Sequence, residues 1–281
     1  MKNEEIISAL GKLDLADYPF DEVMSLVSQF QPKFLRLTIT SGAIIERIRP
    51  DINVFERKDM SYRPADKNTK PQRATLPKKT AFYGTICHEL DPLYNNRQVA
   101  LMEASKLLKQ SKDAEGEEQY TLSRWMTNNS LKLAVFVHES VYPDVTNNKL
   151  LSMAREAFEK SKTFLDDLLQ YDIYEKYVTE QFAKPAEHDY EYIISATIAE
   201  MLMYASKMDG VIYPSVPSLG QFCMNVALKP EVAYDKLVLM EVNEMAYKQK
   251  GGEGRFSFKK KAIPVETDSH GLKRWKYIDF K

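Results

Sequence analysis

The chain has 281 residues, 44% of them hydrophobic and 11% aromatic, enough apolar side chain to bury a core in one large domain or two smaller ones. Its 39 basic and 40 acidic side chains leave a formal charge of -1, so no global field draws it onto nucleic acid or an anionic membrane. Two cysteines, Cys87 and Cys223, are too few for a stapled scaffold; each stands beside apolar or aromatic residues, which predicts reduced thiols packed in a core.

The opening MKNEEIISALGKL is acidic and lacks the apolar run of a signal peptide, and no run of about eighteen apolar residues occurs anywhere. These features predict a cytoplasmic protein with no membrane partner. Ile6, Ile7, Leu10, Leu13 and Leu15, then Val23, Leu26, Val27 and Phe30, recur at helical spacing on either side of DYPFDE, so residues 1–35 are read as a helical segment ahead of one domain over 36–281. Strand-like KFLRLTIT follows, then AIIERIRPD, in which Arg47 and Arg49 stand two apart and face the same side of a strand. From Phe55 to Lys79 the chain is polar and proline-bearing, the mark of a long ordered loop, a type often functional.

RQVALMEASKLL reads as a short helix, with Val99, Met102, Leu107 and Leu108 for one face, and LKLAVFVH as a buried strand. Two helical stretches, NKLLSMAREAFEKSKTFLDDLLQYDIYEKYVTEQFA and YEYIISATIAEMLMYASKM, predict a helical insertion over about 145–207. After them, DGVIYPSVPSLGQFCMN crowds two prolines, a serine, a glycine, a cysteine and an asparagine between apolar stretches. A plain connection runs to about four to six residues, so this segment is a strand entering a packed turn, or it builds a site. Strand-like VALK and YDKLVLMEVNEMAY come next, then KGGEGR and a basic, aromatic tail.

Several chemistries lack their motif. No Gly-x-Gly-x-x-Gly follows a strand and no Walker-type loop occurs, so KGGEGR reads as a flexible turn. The histidines His88, His138, His188 and His270 are scattered, and the consecutive side chains of CHE at 87–89 diverge, so no metal site is expected. SFKKKA and LKRWKYIDFK join cations to Trp275 and Tyr277, a pairing able to stack on bases; an edge strand protected by lysines accounts for it equally, and no nucleic-acid partner is expected.

Four separated pieces carry a resemblance: AIIERIRPD at 43–51, SYRPADKNTKPQRATLPKKTAFYGT at 61–85, VALMEASKLL at 99–108, and the proline-bearing segment at 209–225. In this order the chain resembles the RES-domain family, in which a strand arginine, a loop arginine, an aromatic strand, an Ala-Leu-x-Glu helix and a Tyr-Pro-Ser segment running into Asn recur. The match spans roughly residues 40–245 with gaps, and RATLPKK stands where the family pattern continues Arg-x-Asn and Pro-Gly. The resemblance implies an α+β fold with a mixed or antiparallel sheet like that of ADP-ribosyltransferases. It also implies consumption of NAD by hydrolysis, phosphorolysis or ADP-ribosyl transfer to a protein, in a toxin restrained by an antitoxin or in a stand-alone relative. The family arginine falls on Arg47 or Arg49, the loop arginine on Arg73, the strand tyrosine on Tyr83, the glutamate on Glu103 and the serine on Ser215, with Asn225 following.

These residue types suit the chemistry. Breaking the ribose–nicotinamide bond develops oxocarbenium charge, which a carboxylate such as Glu103 stabilises. Nicotinamide departs from an already cationic ring, so no strong general acid is required. Arg47 or Arg49 offers pyrophosphate a planar fork, Tyr83 a wall, and Ser215 a hydrogen bond. The alternative is a RES-like module without turnover that binds a nucleotide or a protein.

Overall fold

In the computed structural model, which describes residues 1–30, 34–50, 52–87, 96–110, 114–143, 148–162, 167–217 and 223–280, the N-terminal periodicity becomes two short helices, α1 (Asn3–Leu10) and α2 (Phe20–Val27). There follow β1 (Leu35–Ile39), β2 (Ile44–Arg49), α3 (Arg57–Met60), β3 (Phe82–Ile86), α4 (Asn96–Ala104), β4 (Gly116–Thr127) and β5 (Leu131–Val135). The second half holds α5 (Lys149–Lys162), α6 (Leu168–Ala183), α7 (Ile193–Glu200), β6 (Gly210–Pro214), β7 (Met224–Leu228), α8 (Pro230–Lys236), β8 (Leu237–Lys250), β9 (Glu253–Asp268) and β10 (Gly271–Asp279). All ten strands join one mixed sheet in the order β1-β5-β6-β7-β3-β2-β4-β8-β10-β9, with β8 also pairing β9; only β5–β6 and β8–β10 run parallel. The α+β expectation with a mixed sheet is met at this level. Among the described residues no helix is long and apolar enough to cross a membrane.

Alternation along β6 and β7 sends side chains to opposite faces. Ile212, Met224, Val226 and Leu228 join a core with β1, β5 and α5, whereas Val211, Tyr213 and Ala227 join a core built from α1, α2, α6 and α7. The helices read as one insertion therefore serve both faces of the sheet. Gly210 lets β6 lie close to β7: a Cβ there would stand 2.2 Å from the Ala227 carbonyl oxygen.

The seam between β2 and β3 is short. They pair at Ile45–Ile86 and Glu46–Thr85, then part, while β2 stays with β4 as far as Arg49–Thr121 and β3 stays with β7 as far as Phe82–Leu228. Gly84 stands at the opening, where a Cβ would meet the Ile45 Cγ2 at 2.5 Å and the Glu46 carbonyl at 3.2 Å. The missing side chain lets β2 and β3 approach closely before they diverge.

Three expectations need correction. Residues 234–236, read as the start of a strand, belong to α8, where Pro230 occupies the first helical position with its φ already helical. Gly116–Thr127, not read as a strand, forms β4 in the middle of the sheet. Tyr120 and Leu122 alternate with the polar Gln119, Thr121 and Ser123, a strand signal that was available, and Tyr120, Thr121, Leu122 and Ser123 are all buried. Cys87 and Cys223, read as reduced packing thiols, form a disulfide: they are the next pair along the β3–β7 register after Ile86–Met224, with Cα atoms 4.7 Å apart. Elsewhere KGGEGR is a turn as read, with Gly251 and Gly252 at φ 60° and 79° joining β8 to β9 as a two-residue hairpin. His88 and Glu89 of the CHE motif, and residues 218–222 of the proline-bearing segment, lie outside the described residues.

Candidate active site in the fork of the sheet

Helix α4 crosses the point where β2 and β3 separate. Its first residue is tied to both strands: Asn96 Nδ2 donates to the Ile44 carbonyl at 2.8 Å, and the Thr85 hydroxyl donates to the Asn96 carbonyl at 3.0 Å. Two turns of helix, roughly 10 Å, then carry the chain to Glu103 over the fork. There Glu103 Oε1 accepts from the Ser215 hydroxyl at 2.7 Å and from Asn225 Nδ2 at 2.7 Å. Ser215 follows β6 and Asn225 is the second residue of β7, and the pairing of those strands, with Tyr213 opposite Asn225 and the Ser215 amide donating to the Cys223 carbonyl, holds both donors in place. Both of these bonds fall on Oε1, and Oε2 has no hydrogen-bond partner among the described residues.

The cleft at this carboxylate has a volume of about 210 Å3 and is lined by Arg47, Tyr83, Gly84, Glu103, Tyr213 and Asn225, with Glu46 on the β2 side. Arg47 bridges the parted strands, its Nη1 donating to the Tyr83 carbonyl at 2.8 Å and its guanidinium standing 5.2 Å from the Phe82 ring centre. A side-chain hydrogen bond takes over where the backbone ladder ends. The Tyr83 ring walls the cleft, while its hydroxyl meets the Thr75 hydroxyl at 2.9 Å and accepts from the Ala74 amide at 3.2 Å. Burial pushes the Tyr83 phenol up to about 12, so its part is to shape the cleft and pin the 72–75 turn, not to move a proton near neutral pH.

Five sequence-read residues thus meet in one cleft: Arg47, Tyr83, Glu103 and Asn225 on its surface, and Ser215 directly behind Glu103. Two are placed elsewhere. Arg73 donates from Nη1 to the carbonyls of Phe182 at 2.7 Å and Lys184 at 3.0 Å, and stacks 4.9 Å from the Tyr192 ring. It serves the carbonyls at the end of α6, which lack partners inside the helix. Arg49 donates to the Asp59 carbonyl and borders a different cleft, so Arg47 is the strand arginine that reaches Glu103's cleft.

Glu46 is the cleft residue that sequence reading passed over. It is 2% exposed and lies between Arg97 at 3.2 Å and Arg124 at 3.3 Å. Burial pushes its carboxyl up, opposed by the two guanidinium charges. An acid inside ERIR was the available signal, but its partners are distant in sequence. Among the described residues no three His, Cys, Asp or Glu side chains are grouped to hold a metal ion.

Fold and site together define an α+β protein with a forked mixed sheet and a carboxylate held by Ser and Asn at the fork. The chain was compared with protein-family models, curated proteins and solved structures, and none matches it.

Proposed function

We propose that this protein is an NAD-consuming enzyme of the RES type, with an ADP-ribosyltransferase-like sheet, that breaks the bond between ribose and nicotinamide. The observation that carries this reading is Glu103, aimed by Ser215 and Asn225 into a cleft that also holds Arg47 and Tyr83. At about 210 Å3 the cleft suits a ring-sized fragment such as nicotinamide or ribose, since whole drug-sized ligands occupy about 300–1,000 Å3. In this reading the remainder of NAD extends beyond the fork and Arg47 meets its phosphates. Glu103 stabilises the oxocarbenium charge, and Oε2 is the oxygen that faces it. The acceptor is water, phosphate or a protein side chain, and an active enzyme of this kind calls for restraint by an antitoxin protein.

The test is nicotinamide release by purified protein, comparing wild type with Glu103→Gln. Gln keeps the shape and the oxygen that accepts from Ser215 and Asn225 but removes the charge, so release falls by about a hundredfold or more in a protein that still folds. Equal release by both proteins would put the chemistry elsewhere. Product analysis separates free ADP-ribose, ADP-ribose 1-phosphate and labelled protein. A second reading, a nucleotide- or protein-binding module without turnover, is favoured by the engagement of Arg73 with the end of α6, which removes the loop arginine from the cleft. It predicts saturable NAD binding with the ligand recovered intact.

A further inference from the structure

A second and larger cleft, about 1070 Å3, opens between the 54–67 loop, α8 and the β9–β10 turn. Its floor is apolar, formed by Val54, Trp125, Ala233 and Leu237, all buried. Its sides are cationic, with seven Arg and Lys side chains against three carboxylates. Part of that charge is neutralised: Arg57 grips Asp268 through two nitrogens at 2.5 and 2.9 Å, Lys58 pairs with Glu56 at 2.7 Å, and Lys273 pairs with Glu266 at 2.5 Å. Arg63 and Lys67, both exposed, form no ion pair among the described residues, so a positive excess remains along the cleft. In a protein of net charge -1 this excess is a local arrangement, made by the fold.

An aromatic group stands beside the cations. Tyr234 keeps 59% of its surface exposed, and its ring packs on His270 with centres 5.0 Å apart and planes 34° from parallel. His270 Nδ1 is shut off from solvent and has no hydrogen-bond partner among the described residues. An apolar floor, an exposed aromatic ring and exposed guanidinium and ammonium groups match a molecule with one flat heterocycle and one or more phosphates. The ring stacks on the tyrosine, and the phosphates meet Arg and Lys.

We infer that this cleft is a nucleotide site separate from the Glu103 cleft, with the base against Tyr234 and the apolar floor and the phosphates against Arg63 and Lys67. Arg47 borders one cleft and Arg49 the other, two residues apart on β2. The inference does not depend on NAD turnover.

Fluorescence titration of the full chain with N-methylanthraniloyl-ADP tests it. Wild type binds saturably; Arg63→Ala with Lys67→Ala weakens binding by about tenfold or more, as loss of charge-assisted contacts does. Tyr234→Ala weakens it as well, and Glu103→Gln leaves it unchanged. Because Arg63, Lys67 and Tyr234 are exposed, these variants retain the fold, which circular dichroism checks. Three results would overturn the site: no binding by wild type, equal affinity in the double variant, or loss of binding in Glu103→Gln. A fourth, pyrophosphate displacing the probe as well as ADP does while Tyr234→Ala has no effect, would overturn the base contact and with it the assignment to nucleotides.

Discussion

Glu103 accepts both of its hydrogen bonds on one carboxylate oxygen, an arrangement that aims a charge as well as supplying one. Ser215→Ala removes one of the two aiming bonds, and hydrogen bonds to charged groups contribute about 1.5–3 kcal/mol. If the carboxylate meets the transition state, kcat/KM for nicotinamide release falls roughly 10- to 150-fold in Ser215→Ala, and Asn225→Ala behaves similarly. A buried carboxyl, Glu175, bears on stability. It is fully buried, accepts from the Val137 amide at 2.7 Å, and is raised to about 8, chiefly by burial and further by the charge of Asp172. Its folded value lies above the unfolded one, so the folded chain holds the extra proton. The resulting stability is fully present below about 4.5, the ordinary value, and is lost as pH rises through about 8. Wild type is therefore expected to lose thermal stability between pH 5 and 8 by on the order of a few kcal/mol, and Glu175→Gln to show a flatter profile in melts across that range.

At the scale of elements, what builds the site is the parting of β2 from β3 and the helix pinned across it. The sequence marks both strands and the helix but says nothing of the seam, because strand order depends on pairings across the whole chain. Arg47 and Arg49 show the consequence. Alternation puts them on one side of β2, yet β3 leaves after Glu46–Thr85, so Arg47 stands beside the gap and Arg49 beside the 54–67 loop. The same register places Cys87 opposite Cys223 at the end of the β3–β7 ladder, two residues from Asn225. The bond closes a loop of 136 residues, for which lost chain entropy predicts about 2–5 kcal/mol. Oxidised wild type is expected to melt above both its reduced form and Cys223→Ser; equal melting in all three would mean that the bond adds nothing to the fold.

Over the whole molecule, the two N-terminal helices share a core with helices distant in sequence. Ile6, Leu10, Val23, Val27 and Phe30 pack with Tyr174, Val178, Phe182, Ile193 and Ile198, and the Phe30 ring meets Tyr174 edge-on with centres 5.2 Å apart. Asn3 adds two bonds to Gln170, at 2.7 and 2.6 Å. Removal of residues 1–30 exposes the apolar faces of α6 and α7, so the truncated chain is expected to bind a hydrophobic dye and precipitate at concentrations where the full chain stays soluble. A truncated chain that keeps a cooperative melt and clear solutions would show that these helices are dispensable.

The periodic elements were legible along the chain, because helical and strand periods are local: the N-terminal helices, the strands around Arg47 and Tyr83, the helix bearing Glu103, and the glycine turn at 251–252. The sequence also named five residues that share a cleft, through motif order and not through any visible contact. Which arginine borders that cleft depends on the folded sheet, since the choice turns on where two strands separate. The fold likewise decided that Arg73 closes the end of α6, that Glu46 stands between Arg97 and Arg124, and that the cysteines meet. Each depends on partners brought together from distant parts of the chain by sheet order and register, and spacing along the chain carries no record of either.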